Sequence, residues 1–464
     1  MNFLKYGVQW RSRPGWKSDV SAQFNVRMPE RLIEDQLGRG RNLRSICVIA
    51  VSCLMVTGLW IAGQAYADPV EEGGMESWPG FRGEGNSRTK LENLPLSWTD
   101  QKGVAWRSRL EGFGQSSPVV WGKRIYVTST GGDRKEHLFL ECFELVSGKR
   151  IWKQQIAAAE QVEKVTNMIS QGAPTPVAGP QGVYCFFESG DLVAFDHEGR
   201  RRWMRKLTKE FGQFEGGHGV GSSLVGAPGR LLLLIDHDGP SYLLCLDRKS
   251  GKTVWKSDRQ SRVSWTTPLY LDNGGGAQVV ISSNGALEGY RFSDGKRIWW
   301  LENIKRNTVA SPSSDGKIVV IGSSSPRQCL AVRLGGEGDI SKTHLEWRAE
   351  SATSSFCSPL VHRGIVYFIN RAGTLQAQAS SDGSQRWEYR LPDGCWASPL
   401  AAGDRIYFFC KNGKALVLDA KGDQPRVLAE NEISVGEDDK VYGYAVARNR
   451  FILRIGREII GIGP

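Results

Sequence analysis

Three stretches of the chain share one grammar: "LECFELVSGKRIW" (140–152), "YLLCLDRKSGKTVW" (242–255) and "LEGYRFSDGKRIWW" (287–300). Each writes an apolar strand, a polar turn containing glycine, and a second strand that reaches a tryptophan. Self-similarity at a fixed period constrains a fold more than composition does, because each repeat must bury its apolar face on a neighbour. Within the second copy, Leu243–Leu246 reads as strand, Asp247–Gly251 as turn and Lys252–Trp255 as the next strand. Gly251 suits a tight hairpin, where positive φ is required.

A second pattern precedes each hairpin: Ser-Pro or Thr-Pro, then an aliphatic run broken by Gly or Asp. Ser117-Pro118, Thr175-Pro176, Thr267-Pro268, Ser311-Pro312, Ser358-Pro359 and Ser398-Pro399 open such runs; Ser222-Ser223-Leu224 lacks the proline. A proline at the first residue of a strand sacrifices no ladder hydrogen bond. Each full unit therefore holds four strands. Tryptophans close the units at Trp106, Trp152, Trp203, Trp255, Trp299, Trp347 and Trp387, spaced by 46, 51, 52, 44, 48 and 40 residues. Four-stranded propeller blades repeat at about 40–50 residues. The period-2 alternation and dense turn residues exclude helical repeats of similar length.

The ends supply the count. The chain enters the repeat on a bare final strand, "GVAWRSRL" (103–110), and leaves it on three strands (444–463) with no tryptophan strand. Pairing the first with the last closes a ring and removes exposed sheet edges. Unit openings near 118, 176, 223, 268, 312, 359, 399 and 445 predict an all-β, eight-bladed propeller over 103–464. The stretch 153–174 departs from the grammar. Ile156, Val162, Val165 and Ile169 space as on one helix face, so an inserted helix or lid is expected there.

Residues 68–102 form a lead-in, and 1–67 read as an address. Arg39, Arg41 and Arg44 precede an apolar run from Ile46 to Ala62, followed by Ala65-Tyr66-Ala67, the pattern of a signal cleaved after Ala67. The alternative is an uncleaved N-terminal signal anchor, and Met28 offers a second start. The expectation is an exported protein of the periplasm or cell envelope. The formal charge of +11 falls to +6 beyond Ala67, since residues 1–67 carry nine Lys/Arg and four Asp/Glu. That mild excess has no run of five like charges and gives nucleic-acid binding no support. No later stretch approaches the ~18 apolar residues of a further membrane span.

Seven cysteines follow the address. Cys142, Cys245 and Cys329 occupy apolar strand positions, whereas Cys357 and Cys395 sit just before a Ser-Pro in equivalent loops of adjacent blades. A Cys357–Cys395 disulfide is the candidate pairing in an oxidising compartment.

The hairpin "CLDRKSGKTVW" resembles the repeat of the pyrroloquinoline quinone (PQQ) dehydrogenase-like propellers: Asp247, Gly251 and Trp255 match it, with Ser250 at its Thr position. The lead-in "WPGFRGEGNSRTKLENLPLSWTDQKGVAW" (78–106) resembles that of secreted PQQ-like repeat proteins of planctomycete type. The resemblance spans roughly 78–464 and implies that each tryptophan docks one blade on the next. It leaves activity open, because docking serves packing with or without a cofactor.

Two rim segments carry chemistry-bearing residues. "TKEFGQFEGGHGVGSS" (208–223) and "IDHDGPSY" (235–242) bring Glu215, His218, Asp236, His237 and Asp238 toward one rim, with Arg262 and Trp265 from the next blade. Such a cluster reads either as solvated turn residues or as a cation or small-molecule site. Quinone-dependent dehydrogenases of the resembled family pair PQQ with calcium, and many carry adjacent cysteines. This chain has no Cys-Cys pair, no Cys-x-x-Cys-His, no Gly-x-Ser-x-Gly and no His-Glu-x-x-His. The expectation is therefore a non-enzymatic, monomeric scaffold without a cofactor. It resembles the propeller subunit of the outer-membrane β-barrel assembly machine, with an envelope protein as partner. The alternatives are a PQQ- and calcium-dependent oxidoreductase using the 215–238 rim, or a carbohydrate-binding propeller using Trp265 and Trp396.

Overall fold

The computed structural model describes residues 77–160, 172–217, 219–421 and 423–464. Eight antiparallel sheets of four strands follow one another along the chain as blades of a ring. Their innermost strands begin at Val119, Val177, Val225, Leu269, Ser313, Leu360 and Leu400, one or two residues beyond the expected openings, and at Val441, four residues before the expected 445. The ring closes as the sequence predicts. Val104–Arg109 is the outer strand of blade 8, antiparallel to Glu458–Ile462, with Arg109 opposite Glu458.

The tryptophan contact is now explicit. Trp106 of blade 8 donates its Nε1–H to Leu145 O of blade 1 at 3.3 Å, Trp152 to His197 O at 2.9 Å, and Trp203 to Arg248 O at 3.2 Å. Trp255 reaches Phe292 O at 2.9 Å and Trp347 reaches Ser380 O at 2.9 Å. Each indole lies on the turn glycine of the next blade. A Cβ on Gly251, whose φ is +70°, would fall 2.6 Å from the Trp203 ring. Across its own sheet every docking tryptophan faces a small residue: Gly461, Cys142, Ala194, Cys245, Gly289, Ala331 and Ala377 in blade order from Trp106. Cys142 and Cys245 are thus core spacers beneath an indole.

Three positions depart from the rule, one of them Trp387, whose buried Nε1 has no hydrogen-bond partner among the described residues. Blade 5 replaces the short hairpin with the longer "LGGEGDISKTH" (334–344), whose Gly338–Asp339 pairs parallel to the outer strand of blade 4 at Trp299. Trp299 Nε1 accordingly turns to Gln278 Oε1 of its own sheet at 2.8 Å. Blade 7 has no tryptophan in its outer strand Val427–Glu432. Trp98 of the lead-in packs there instead, 1% exposed, against Phe409 of blade 7 and Phe451 of blade 8. Asn431 anchors it, accepting from Trp98 N at 2.7 Å and donating to Leu96 O at 3.1 Å.

The lead-in is therefore part of the fold. Trp78 pairs with Val120 of blade 1, and Arg88–Thr89 runs parallel to Ala401–Ala402 of blade 7. Between them Arg82 is buried against the inner strands, donating to Pro312 O (3.1 Å) and Pro359 O (3.2 Å) of blades 5 and 6. No carboxylate answers it, and burial pushes its pKa down to about 10.

Two expectations need adjustment. Lys153–Ala157 are the end of the outer strand Arg150–Ala157, paired through Ala157 to His137, so no helix starts at Lys153. Residues 161–171 of that stretch, like the address over 1–67, lie outside the described residues. The Cys357–Cys395 disulfide is also not present: all seven described cysteines are free thiols. Cys357 Sγ is turned onto the carbonyls of Cys395 (3.0 Å) and Ala397 (3.3 Å), while Cys395 Sγ faces Cys410 Sγ at 3.7 Å.

If Trp98 replaces the missing blade 7 tryptophan, Trp98→Ala should cost about 3–5 kcal/mol in urea unfolding, as a buried large aromatic does. A loss within about 0.5 kcal/mol, the range of surface substitutions, would make the lead-in dispensable to the ring.

Candidate functional site

The loops before the inner strands and those between second and third strands open on one rim. Between blades 3 and 4 this rim carries Glu215, Asp236, His237, Asp238, Arg262 and Trp265; His218 lies outside the described residues. The helical turn Leu207–Phe211 leads into the loop that carries Glu215. Asp238 N donates to Glu215 O at 3.2 Å, Arg262 N to His237 O at 3.1 Å, and Trp265 Nε1 to Gly219 O at 2.9 Å. Asp236 bridges to Ser264 across the blade boundary.

Asp236 and His237 are turned inward, whereas Glu215 and Asp238 stay exposed. Arg259, the last residue of the blade 3 outer strand, grips Asp236 with Nε to Oδ1 (2.9 Å) and Nη2 to Oδ2 (3.3 Å). Its Nη1 also donates to Glu288 Oε2 (2.6 Å) and Tyr290 OH (2.7 Å) of blade 4. The Arg259, Asp236 and Glu288 side chains are 1%, 0% and 3% exposed. Arg297 donates to Glu288 Oε1 at 2.9 Å, and Arg262 stands 3.8 Å from Oε2. Burial weighs most on Arg259 and opposes its charge, but Asp236, Tyr290 and Glu288 outweigh it and hold the guanidinium protonated. Burial pushes the Asp236 carboxyl up. It acts upward on Glu288 too, yet the arginines, led by Arg259, carry that carboxyl below the usual range. Glu288 is thus the firmer anion of the two, since three arginines face it.

Neither Arg259 nor Glu288 stood out in the sequence. A signal was available in the repeat. Glu288 faces Trp300, one residue before the glycine under Trp299, and Glu141 occupies the same place in blade 1, next to the Cys142 under Trp152. Glu141 is fully buried and takes Arg150 Nη1 at 2.8 Å and Glu111 N at 3.0 Å. A carboxylate recurring at an apolar strand position announces a buried partner.

His237 is equally engaged. Its Nδ1 accepts from Glu215 N and from Gly239 N, both at 3.0 Å, which requires a neutral ring protonated on Nε2. Burial, its main influence, holds it below 6.5. Calcium takes six to eight oxygen ligands, and Asp236 has none to offer while Arg259 holds both its oxygens. Among the described residues no three His, Cys, Asp or Glu side chains gather to hold a metal ion.

A second rim feature lies across blades 6, 7, 8 and 1. Phe356 and Trp396, each three residues before a blade-opening proline, stack at 5.0 Å with planes 23° apart. Trp396 meets Tyr442 edge-on at 5.4 Å, and Tyr442 meets Phe113 at 5.9 Å. Arg371 lies 5.8 Å over Phe356 and Lys440 6.0 Å over Trp396. Phe356, Trp396 and Phe113 are half-buried. Trp265 occupies the matching place in blade 4, so it and Trp396 do not share one aromatic box. On the opposite face, the turns after the inner strands of blades 2–5 and the lead-in enclose a cavity of about 580 Å³, lined by Phe81, Arg88, Trp121, Arg248 and Tyr270 among others.

Ring, repeat and rim define a PQQ-like β-propeller repeat protein. The sequence profile described as outer membrane protein assembly factor BamB matches residues 96–217, 213–343 and 337–438, and the chain belongs to that family. It is 27% identical over 222 residues to BamB of Alkalilimnicola ehrlichii, covering 48% of this chain and 51% of that protein. BamB of Nitrosomonas eutropha is 27% identical over 226 residues, 46% of this chain and 50% of that one. The chain thus matches about half the length of these curated relatives. In structure it is similar to BamB of Moraxella catarrhalis (TM-score 0.56, 14% identity, 78% of this chain and 97% of that one). It is also similar to a europium-containing methanol dehydrogenase (TM-score 0.57, 13% identity, 82% and 90%). Both likenesses concern the fold alone.

Two outcomes test the rim. Arg259→Met should destabilise the protein by about 3–5 kcal/mol, because two buried carboxylates lose their shared counter-ion; urea unfolding reads this directly, and a near-neutral result would refute the network. His237 has a folded pKa below its unfolded 6.5, so its contribution is complete above 6.5 and is lost as pH falls through that value toward the folded pKa. Amide exchange at Glu215 and Gly239, corrected for intrinsic pH dependence, should accelerate between pH of about 7 and about 5. Unchanged protection would remove His237 from the loop's support.

Proposed function

We propose that this chain is a non-enzymatic protein-interaction scaffold of the cell envelope, whose aromatic rim over blades 6, 7, 8 and 1 receives an envelope protein. The observation that carries the reading is the contrast between two halves of one rim. Around Asp236 the buried charges of Arg259, Asp236 and Glu288 answer one another, and only Glu215 and Asp238 of that cluster stay exposed. Around Trp396, aromatic rings flanked by Arg371 and Lys440 stand half-exposed. Aromatic and arginine side chains dominate the energetics of protein interfaces, because they bury large area at small entropic cost. Membership of a family described as an assembly factor supports the same reading, as does the absence of a helix long and apolar enough to cross a membrane among the described residues. Export with cleavage after Ala67 and a life without PQQ or calcium belong to this proposal.

The test is photo-crosslinking in cells from positions 356 and 396, with positions 123 and 315 on the opposite face as controls. The expected result is one abundant envelope protein captured from the rim positions only. Trp396→Ala should weaken that complex at least ~10-fold while leaving the fold intact, as loss of a hot-spot aromatic does. Equal capture from both faces, or from neither, would overturn the assignment.

A further inference from the structure

We propose that Cys395 and Cys410 are a disulfide-forming pair that staples the Trp396 loop to the body of blade 7. Cys395 lies in the loop before the inner strand Leu400–Ala402, and Cys410 directly follows the second strand Arg405–Phe409. The two residues form an isolated antiparallel bridge. The backbone bond flanking it runs from Lys411 N to Gly394 O at 2.9 Å, so Cys395 and Cys410 sit opposite each other at a non-hydrogen-bonded position. There the Cα atoms of antiparallel strands approach to about 4.5 Å, inside the range of about 4.4–6.8 Å that disulfides span. The sulfurs are 3.7 Å apart and reduced. A turn about χ1 closes that gap to the bond length of about 2.05 Å without moving a strand.

Cys357 adjoins the pair and is the natural competitor. Its Sγ is hydrogen-bonded to the carbonyls of Cys395 and Ala397 and also lies against the Cys395 thiol, but it comes from the neighbouring blade, whereas Cys410 is the cross-strand partner of Cys395 in register. The loop gains nothing from that contact that a serine would not supply. The Cys395–Cys410 bond, by contrast, would fix the residue immediately before Trp396. It would also reinforce the Lys411–Asp393 ion pair (3.1 Å) that already ties the same two segments.

The reaction is thiol–disulfide exchange with a disulfide-bearing oxidant. The Cys395 thiolate attacks one sulfur of the oxidant and releases a thiol. The Cys410 thiolate then attacks the mixed disulfide at Cys395 and releases the second. Two protein S–H bonds become one S–S bond, and the oxidant takes up the two electrons and two protons as two thiols. Cys395 is 3% and Cys410 0% exposed, so the exchange belongs to the folding of blade 7, before its core closes.

The experiment uses the full chain, folded once in a buffer of reduced and oxidised glutathione and once with dithiothreitol. Thiols are then alkylated in denaturant and the chain is cut by trypsin without reduction. Cys357, Cys395 and Cys410 fall in separate peptides, 349–363, 391–405 and 406–411. Peptide 391–405 should emerge linked to 406–411 from the glutathione sample, with two fewer alkylated thiols than in the dithiothreitol sample. Cys410→Ser should abolish the linked species and Cys357→Ser should leave it. A link between 391–405 and 349–363 would overturn the proposal. So would recovery of all three peptides singly alkylated from protein whose circular dichroism shows the native sheet. The outcome does not depend on the scaffold role.

Discussion

The ring depends on one repeated contact: an indole of one blade laid on the turn glycine of the next, its N–H on a carbonyl of that turn. The contact couples neighbouring sheets in three ways at once. The ring area is removed from water, the N–H finds an acceptor that a buried donor must have, and the glycine admits the ring where any Cβ would collide. Beneath each indole the sheet must yield space, which explains the Gly, Ala or Cys opposite every docking tryptophan. The register shifts of the third and fourth strands fall beside the same residue, as at Cys245/Leu246 and Ala377/Gln378. The bulge therefore belongs to the docking device: it rotates the outer strand so that its tryptophan meets the neighbouring blade.

A ring of repeated contacts has no natural place to begin, and the chain solves this with the segment from Trp78 to Arg109. Val104–Arg109 gives blade 8 its outer strand, and Trp98 gives the blade 7–8 seam the indole that blade 7 lacks. Arg82 and Trp78 tie the segment before it to blades 1, 5 and 6. Because N-terminal residues finish the C-terminal blades, the last seams close only when both ends have been assembled. Long-range pairing of this kind costs loop-closure entropy before its contacts are gained. The ring is the reward, since every blade then packs between two neighbours, although outer strands such as Arg150–Ala157 remain sheet edges.

How much of this was legible follows from what a repeat makes visible. Trp152, Trp203 and Trp255 each follow a turn glycine, Gly148, Gly199 and Gly251, by four residues, so the blade count and the closure could be read, while the docking role came with the family resemblance. Features that occur once were not readable. Trp98 looks like any tryptophan of a lead-in until Asn431, more than 300 residues away, is seen to hold its backbone. Arg82 similarly acquires its partners only from Pro312 and Pro359. Lys153–Ala157 misled because an alternating strand that runs into an alanine-rich stretch resembles the start of an amphipathic helix. Cys357 and Cys395 misled for another reason: equivalence of loop position in adjacent blades says nothing about where a side chain points. The cross-strand neighbour of Cys395 is Cys410, set by register within one blade.

The rim shows the same division between shared and private features, and there it bears on function. Glu141 and Glu288 sit at one repeat position, each answered by an arginine of its own sheet, and belong to the way a blade fills its interior. Asp236, placed beside Arg259 and the Glu288 network, was drawn into that interior as well. Its two oxygens stabilise the seam of blades 3 and 4 and are thereby withdrawn from solvent and from any ligand. The aromatic places before the opening prolines follow no such rule. Blade 1 has Gln115 there, blade 5 has Val309, and only blades 6, 7 and 8 line up Phe356, Trp396 and Tyr442 in continuous contact. Blade 4 also carries an aromatic at that place, Trp265, while blades 1 and 5 close without one, so Phe356 and Trp396 are not a requirement of the repeat. Half-exposed aromatic area that the fold does not need is better explained by something outside the chain that does.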